Sequence, residues 1–303
     1  MKLQRKILGL SIPLISGVCA LFIVAMVLVV MGEIVIGGWG TLSWEFLSAG
    51  PKEGMTAGGI YPAIIGTFLL VVIMSIVGVP IGTITAIYLS EYASHRSIFA
   101  RTIRFAVNTL AGVPAIVFGL FGLGFFIQFV GTGMDNVFSG GTQLKWGQPN
   151  ILWASLTMAL LTLPVVIVSV EEAIKAVPRE LREASLALGA TKWETIRKIV
   201  LPNSITGILT GAILAVSRGA GEVAPILFTG AAYFLPHLPS ALSDQFMELG
   251  YHIYIMSTQS TDVEATRGIQ YATTLVLLVL TFALNFSAIF LRYKLRTRAA
   301  RLA

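Results

Sequence analysis

Seven long stretches of the chain contain no Asp, Glu, Lys or Arg: residues 7–32, 54–90, 105–134, 146–170, 199–217, 223–243 and 268–291. Each approaches or exceeds the roughly 20 residues that carry a helix across about 30 Å of hydrocarbon. A transmembrane barrel is excluded, because its segments are about 10 residues long and alternate polar with apolar. Seven stretches do not make seven spans. The stretch 199–217 opens on Leu201-Pro202-Asn203, which reads as a helix start, so its membrane part begins near Ile205. From Ile205 to Ser217 a helix covers only about 20 Å, too little to cross alone. The fifth helix is therefore expected to run on through Arg218 and Glu222 to about Leu227. Six helices result, over 7–31, 60–90, 106–130, 148–171, 205–230 and 269–291, with 232–267 as an external loop.

The distribution of positive charge supports that count. Of 21 Lys and Arg, 17 fall before the first helix, between helices two and three, between helices four and five, or after the sixth. Lys52, Lys145 and Arg267 lie on the opposite side, and Arg218 lies inside a span. The positive-inside rule then places both termini in the cytoplasm. Basic residues ahead of the first apolar run resemble a signal peptide, but 26 uncharged residues exceed its usual ~7–15-residue core, so a retained helix is expected. Composition agrees: 55% of residues are hydrophobic and 12% charged, half the usual charged share of about 25% in soluble domains. Cys19 is single, which removes an intrachain disulfide.

The most informative soluble piece is the cytoplasmic loop 171–202. It reads as two short helices broken at Gly189. Leu181, Ala184, Ser185 and Leu188 share one weakly apolar face. Gly189 suits the left-handed turn that ends a helix. Thr191 and Glu194 form a capping-box pattern for the next turn, and Pro202 suits the start of the fifth helix. Two readings remain: a rigid plug fitting a partner's groove, or an amphipathic loop lying on the bilayer. The series Glu183-Ala184-Ser185, Gly189, Ile199 and Leu201-Pro202 resembles the EAA loop of permease subunits in binding-protein-dependent ABC importers. Ser185 stands where Ala is usual. The resemblance implies that Glu183 to Pro202, with Thr191 and Trp193 among them, docks into a separate ATPase subunit. No Lys follows a Gly, so a Walker A motif is absent, and ATP and Mg belong to that partner.

Arg218 and Glu222 form the second point of interest. Arg218 is 13 positions past Ile205, near mid-membrane on this reading. Intramembrane charges are costly and usually face a cavity or a partner. One reading is direct substrate contact beside Ser217. The Arg218 fork suits a tetrahedral oxyanion, and Glu222 accepts a hydrogen bond from protonated phosphate but not from sulfate. The other reading is a mutually neutralising pair at a subunit interface. Ser217–Gly230, Gly112–Gly122 and Gly58–Thr67 look like the signatures of phosphate importer permeases, of the second of the two permease types. Many such relatives carry a basic residue just before the Glu171-Glu172 pair. Val168–Val170 are apolar here, so no second anion site is expected on that basis.

The remaining features are weaker. His95, His237 and His252 show no metal spacing and are expected to be solvated or interfacial. Tyr251, His252, Tyr254, Asp244 and Glu248 suit an interfacial helix facing a binding protein or anchoring at the lipid surface. The expectation is an all-α, six-span permease of type I ABC importer architecture in a bacterial or archaeal cytoplasmic membrane, carrying no chemistry of its own. Its implied partners are a related non-identical permease, two copies of an ATPase subunit, an external phosphate-binding protein and lipid, without nucleic acid. The competing readings are a permease for sulfate, molybdate or phosphonate, a channel or secondary transporter independent of ATP, and a regulatory scaffold.

Overall fold

A computed structural model of the chain describes residues 2–94, 96–260 and 262–302. In chain order the helices are α1 (Lys2–Trp39), α2 (Trp44–Ser48), α3 (Tyr61–Ile87), α4 (Ile98–Leu110), α5 (Ala115–Phe121), α6 (Thr132–Ser139), α7 (Ile151–Lys175), α8 (Arg179–Ala187), α9 (Lys192–Thr195), α10 (Leu201–Gly219), α11 (Ile226–Thr229), α12 (Leu249–Thr258) and α13 (Val263–Leu302). A two-residue antiparallel ribbon pairs Pro51–Lys52 with Ala57–Gly58. Among the described residues six stretches are long and apolar enough to span a membrane: Ser11–Trp39, Tyr61–Tyr92, Ala115–Phe138, Ile151–Lys175, Lys192–Gly219 and Thr266–Lys294.

α7 is the central post, with two thirds of its membrane window buried inside the chain. α3 and α10 flank it, joined by Phe118, Ile226 and Phe246 around Leu70, Met74, Ile151 and Met158. Helices in lipid gain little from hydrophobic burial against one another, so close approach of small residues does the joining. A Cβ on Gly82 of α3 would sit 2.6 Å from Val166 Cγ1 of α7, and one on Gly211 of α10 would meet Ser169 at 3.2 Å. Buried hydroxyls at Ser155, Thr157 and Thr162 donate to carbonyls one turn back, which satisfies each of them inside its own helix. α1 packs along α13, and the membrane windows of both are unburied by the rest of the chain.

Two expected helices differ in place. A continuous third helix over 106–130 does not form. α4 stops at Leu110, residues 111–114 turn, and the span restarts at Ala115. Pro114 explains the break, because the residue before a proline is pushed out of the helical region. The third span then loosens into π-helical turns over Gly122–Gly131, which stack Phe121 on Phe125 and Phe125 on Phe129 with ring centroids 5.2 and 5.9 Å apart.

The fifth span differs more. It does not continue past Glu222. α10 ends at Gly219, and the missing length is supplied at the other end, where helix runs unbroken from Lys192. Pro202 thus lies inside a span rather than at its start. The π turn Ile196–Val200 just before it accommodates the absent N–H, and Asn203 Nδ2 donates to the Ile199 carbonyl at 2.7 Å. Gly219, Gly221 and Pro225 are all poor helix residues, which fixes the stop. The first and sixth helices extend beyond 7–31 and 269–291, to Lys2–Trp39 and Val263–Leu302.

The segment expected to lie at an interface is instead packed inward. In α12, Leu249, Gly250, His252, Ile255 and Met256 are buried, against Phe46, Met55, Ile60 and Ala272. His252 is therefore neither solvated nor interfacial. His237 is exposed, and His95 lies outside the described residues.

Candidate functional site: a charged break in the fifth span and the loop that leads to it

Arg218 occupies the last turn of α10, where the helix-end carbonyls favour a cation. Its depth follows from its neighbours. Gly219 packs on Met74, 13 residues into the second span, and on Met158, seven residues into α7. At 1.5 Å per residue these are about 20 and 10 Å below the nearer helix ends. Ser217 Oγ donates to Asn285 Oδ1 of α13 at 2.6 Å. Ser217 is thus turned into the helix packing rather than grouped with Arg218.

Beyond Gly219 the chain unwinds. Glu222 comes back beside Arg218 with Nε to Oε1 at 3.7 Å, through a turn rather than the helical register the spacing alone implies. Irregular backbone at membrane depth persists only where protein or a water-filled cavity surrounds it. One side is covered by this chain: Ala220 and Ile226 are buried in the core cluster around α7. The other side is open, with 37% of the Arg218 side chain and 28% of that of Glu222 exposed. Among the described residues the guanidinium makes no hydrogen bond, since 3.7 Å is an ion-pair distance and too long for one. Five N–H donors are therefore available to an incoming acceptor.

The loop residues form the second group. α8 ends in a Schellman motif: Gly189, at φ +85°, donates to Leu186 O at 3.0 Å, and Ala190 donates to Ser185 O at 3.2 Å. Thr191 and Glu194 make the full capping box that starts α9. Ser185 Oγ and Thr195 Oγ1 lie 2.9 Å apart and link the two short helices. None of α8 is buried, and Leu188 and Trp193 are 90% and 55% exposed. Glu183, Ala184 and Pro202 are exposed, whereas Ile199 and Leu201 are half-buried. The outcome is a stiff knuckle with a free apolar surface. The two groups do not meet. They are the two ends of one 28-residue helix, Lys192–Gly219, about 42 Å long.

Arg182 belongs to none of the loop's motifs yet holds the loop in place. Its guanidinium bonds Glu91 Oε1 at 3.1 and 3.2 Å, the Ile174 carbonyl at 2.8 Å and the Val177 carbonyl. It satisfies carbonyls left over at the end of α7 and ties α8 to the end of the second span. Arg104 with Glu171 at 3.1 Å, and Lys175 with Glu171 at 2.8 Å, add a neighbouring bracket. No sequence signal separates Arg182 from the other loop cations, because Glu91 is 91 positions away. Arg182→Met leaves a carboxylate that is 12% exposed without its partner, at a cost of about 3 kcal/mol. Tryptic cleavage within 179–198 is expected to accelerate at least about tenfold. Unchanged cleavage would show that the bracket does not hold the loop.

Residues 78–301 match the family of binding-protein-dependent transport system inner membrane components. The chain belongs to that family. A probable ABC transporter permease, YqgI of Bacillus subtilis, is 30% identical over 94% of this chain and 95% of its own length. The phosphate transport system permease protein PstA of Haemophilus influenzae is 33% identical over 80% of this chain and 75% of its own. PstA 1 of Mycobacterium tuberculosis is 36% identical over 68% and 64%. A bacterial ABC transporter involved in alginate import shares the fold at a TM-score of 0.64 and 14% identity, covering 96% of both chains. The inward-facing methionine transporter MetNI gives 0.52 at 18% identity over 78% of this chain and 94% of its own. The permease is thus a multi-pass membrane protein of the type I ABC importer fold.

Proposed function

We propose that this permease is the membrane subunit of an ATP-driven, binding-protein-dependent importer of inorganic phosphate. Its relatives with phosphate permease names support the substrate. The observation that carries the reading is the open, mid-depth guanidinium of Arg218 with its donors unspent and a carboxylate 3.7 Å away. A charge so placed is too costly to face acyl chains, so a second, related but non-identical permease completes a watery passage along that face. Glu222 keeps the empty passage near neutral and accepts a hydrogen bond from the protonated oxygen of hydrogen phosphate. Sulfate has no such proton at neutral pH.

Two copies of an ATPase subunit holding ATP and Mg receive the α8–α9 knuckle, and a phosphate-binding protein docks on the opposite, external face. Both termini are cytoplasmic by the charge distribution, in a bacterial or archaeal cytoplasmic membrane. Closure of the ATPases moves the knuckle, and the rigid helix Lys192–Gly219 carries that motion to the break at Arg218. The permease binds, conducts and transmits, and performs no covalent step.

The test is ATP hydrolysis by the four-component complex in lipid vesicles. Phosphate-loaded binding protein is expected to stimulate it at least about tenfold, and sulfate not at all. Equal stimulation by sulfate, molybdate or phosphonate removes the phosphate assignment. Transport without any ATPase subunit removes the importer reading itself.

A further inference from the structure

At the loop end of the bundle, far from Arg218, a cavity of about 570 Å³ opens between the end of the second span, α4, the end of α7 and the start of α8. Four cations reach it: Arg104, Lys175, Arg179 and Arg182. Glu91 is neutralised by Arg182, and Glu171 at its edge is shared by Arg104 and Lys175. Glu183 is the second carboxylate of the lining. The lining thus carries four positive charges against two negative, and Glu171 just outside it reduces the excess to one. Arg179 enters no ion pair among the described residues. Ser90, also in the wall, has a buried Oγ with no hydrogen-bond partner, a group that costs about 1–3 kcal/mol if left so. α8 begins at the same wall, and its N-cap, Pro178, offers no side-chain bond to the free amides of its first turn.

An unpaired guanidinium, an unsatisfied hydroxyl and an uncapped nine-residue helix start around one cavity share a complement. We propose that this cavity binds a singly charged phosphate group, held by Arg179 and Lys175, with the Ser90 hydroxyl turning out of the wall to donate to it. The positions just before Glu171 are apolar and foretell no such site; it arises because α4 and α8, distant in sequence, bring their cations to the same place. The group has two sources: the headgroup of an anionic phospholipid, as in other basic pockets between helices at the cytoplasmic face, or free dihydrogen phosphate. Because the site lies beside the Arg182–Glu91 bracket, its occupancy stiffens the joint between α8 and the spans.

The proposal does not rest on which substrate is imported, and its test reads binding. The assembled complex without binding protein is placed in phosphatidylcholine nanodiscs. Native mass spectrometry is then run with phosphatidylglycerol titrated in, and radiolabelled inorganic phosphate binding is measured in parallel. A headgroup occupant is expected as one phosphatidylglycerol retained per copy of this chain. A free-phosphate occupant is expected as saturable binding that survives Arg218→Gln. Either is expected to weaken at least tenfold in Arg179→Gln and in Ser90→Ala, and to return with Arg179→Lys. Retention indifferent to both substitutions, or phosphate binding lost in Arg218→Gln alone, overturns the site.

Discussion

Arg218→Gln is expected to lower phosphate uptake ten- to a hundredfold while leaving the complex assembled. Hydrogen bonds to a charged group contribute about 1.5–3 kcal/mol each, and about 1.4 kcal/mol is a factor of ten. Glutamine keeps the length and some donors but loses the charge and the two-pronged geometry. Packing is spared, because Arg218 makes no hydrogen bond among the described residues and its side chain is more than a third exposed. Subunit copurification measures assembly, and uptake by cells or vesicles measures function. Normal uptake would end the case for direct recognition. Glu222→Gln leaves Arg218 uncompensated; its expected signature is weaker discrimination between phosphate and sulfate. An exchanged pair, Arg218→Glu with Glu222→Arg, that restores uptake would instead favour mutual neutralisation.

The second large effect concerns pH and the segment 248–258. Glu248 is fully buried and accepts from the amides of Gly250 and Tyr251 at 2.9 and 2.6 Å, with Thr67 Oγ1 at 3.5 Å. Burial outweighs those bonds and pushes its carboxyl from 4.5 up to about 7. One turn later His252 is buried with Nδ1 unbonded, and burial pushes it from 6.5 down to about 4. A folded carboxyl titrating near 7 keeps a proton that the unfolded one has lost, so its contribution falls as pH rises from 4.5 to 7. A folded imidazole titrating near 4 refuses a proton that the unfolded one takes, so its contribution falls as pH drops from 6.5 to 4. Each displacement corresponds to about 3 kcal/mol.

Over 4.5 to 6.5 the two slopes oppose, and the native segment is expected to be nearly insensitive to pH. Removing either group uncovers the other. In His252→Gln, amide protection of Leu249–Thr258, corrected for intrinsic exchange, should fall about a hundredfold from pH 4.5 to 7. In Glu248→Gln it should rise about a hundredfold from pH 4 to 6.5. Flat profiles in both variants would show that neither group titrates as its burial requires. Tyr251, pushed upward by burial, stays neutral throughout this range.

Much of the architecture was legible in the residues because it depends on short stretches and their solvent. A run of about 20 uncharged residues must cross or lie in lipid wherever it occurs, so the six spans and the class of protein needed no tertiary information. The knuckle was equally local. Gly189 turns left-handed and Thr191 with Glu194 caps the next helix through bonds reaching at most three residues. The third span's break was not foreseen, since a continuous helix over 106–130 was expected, although its cause, Pro114, is local. An uncharged run hides a proline, and only the backbone constraint reveals it.

The fifth span shows why the rest was hidden. Its uncharged run made Ile205 look like the start and forced an extension beyond Glu222. A helix crosses by its length, however, and the chain supplied that length from Lys192, with charged residues in its first turns. Hydropathy alone cannot assign those turns, because long side chains at a membrane edge reach water.

The order of residues alone sets the solvent of each segment and the bonds between near neighbours: a six-helix membrane subunit, a rigid capped loop, and a guanidinium in a span. Helix packing sets where that guanidinium sits relative to a broken helix, that Arg182 seals the end of α7 against Glu91, and that Glu248 and His252 are enclosed rather than interfacial. The physical reason is distance along the chain. Arg182 and Glu91 are 91 residues apart, and Arg104 and Glu171 are 67. Which distant charges meet, and which polar groups lose water, follows from how helices pack, and no local pattern carries that.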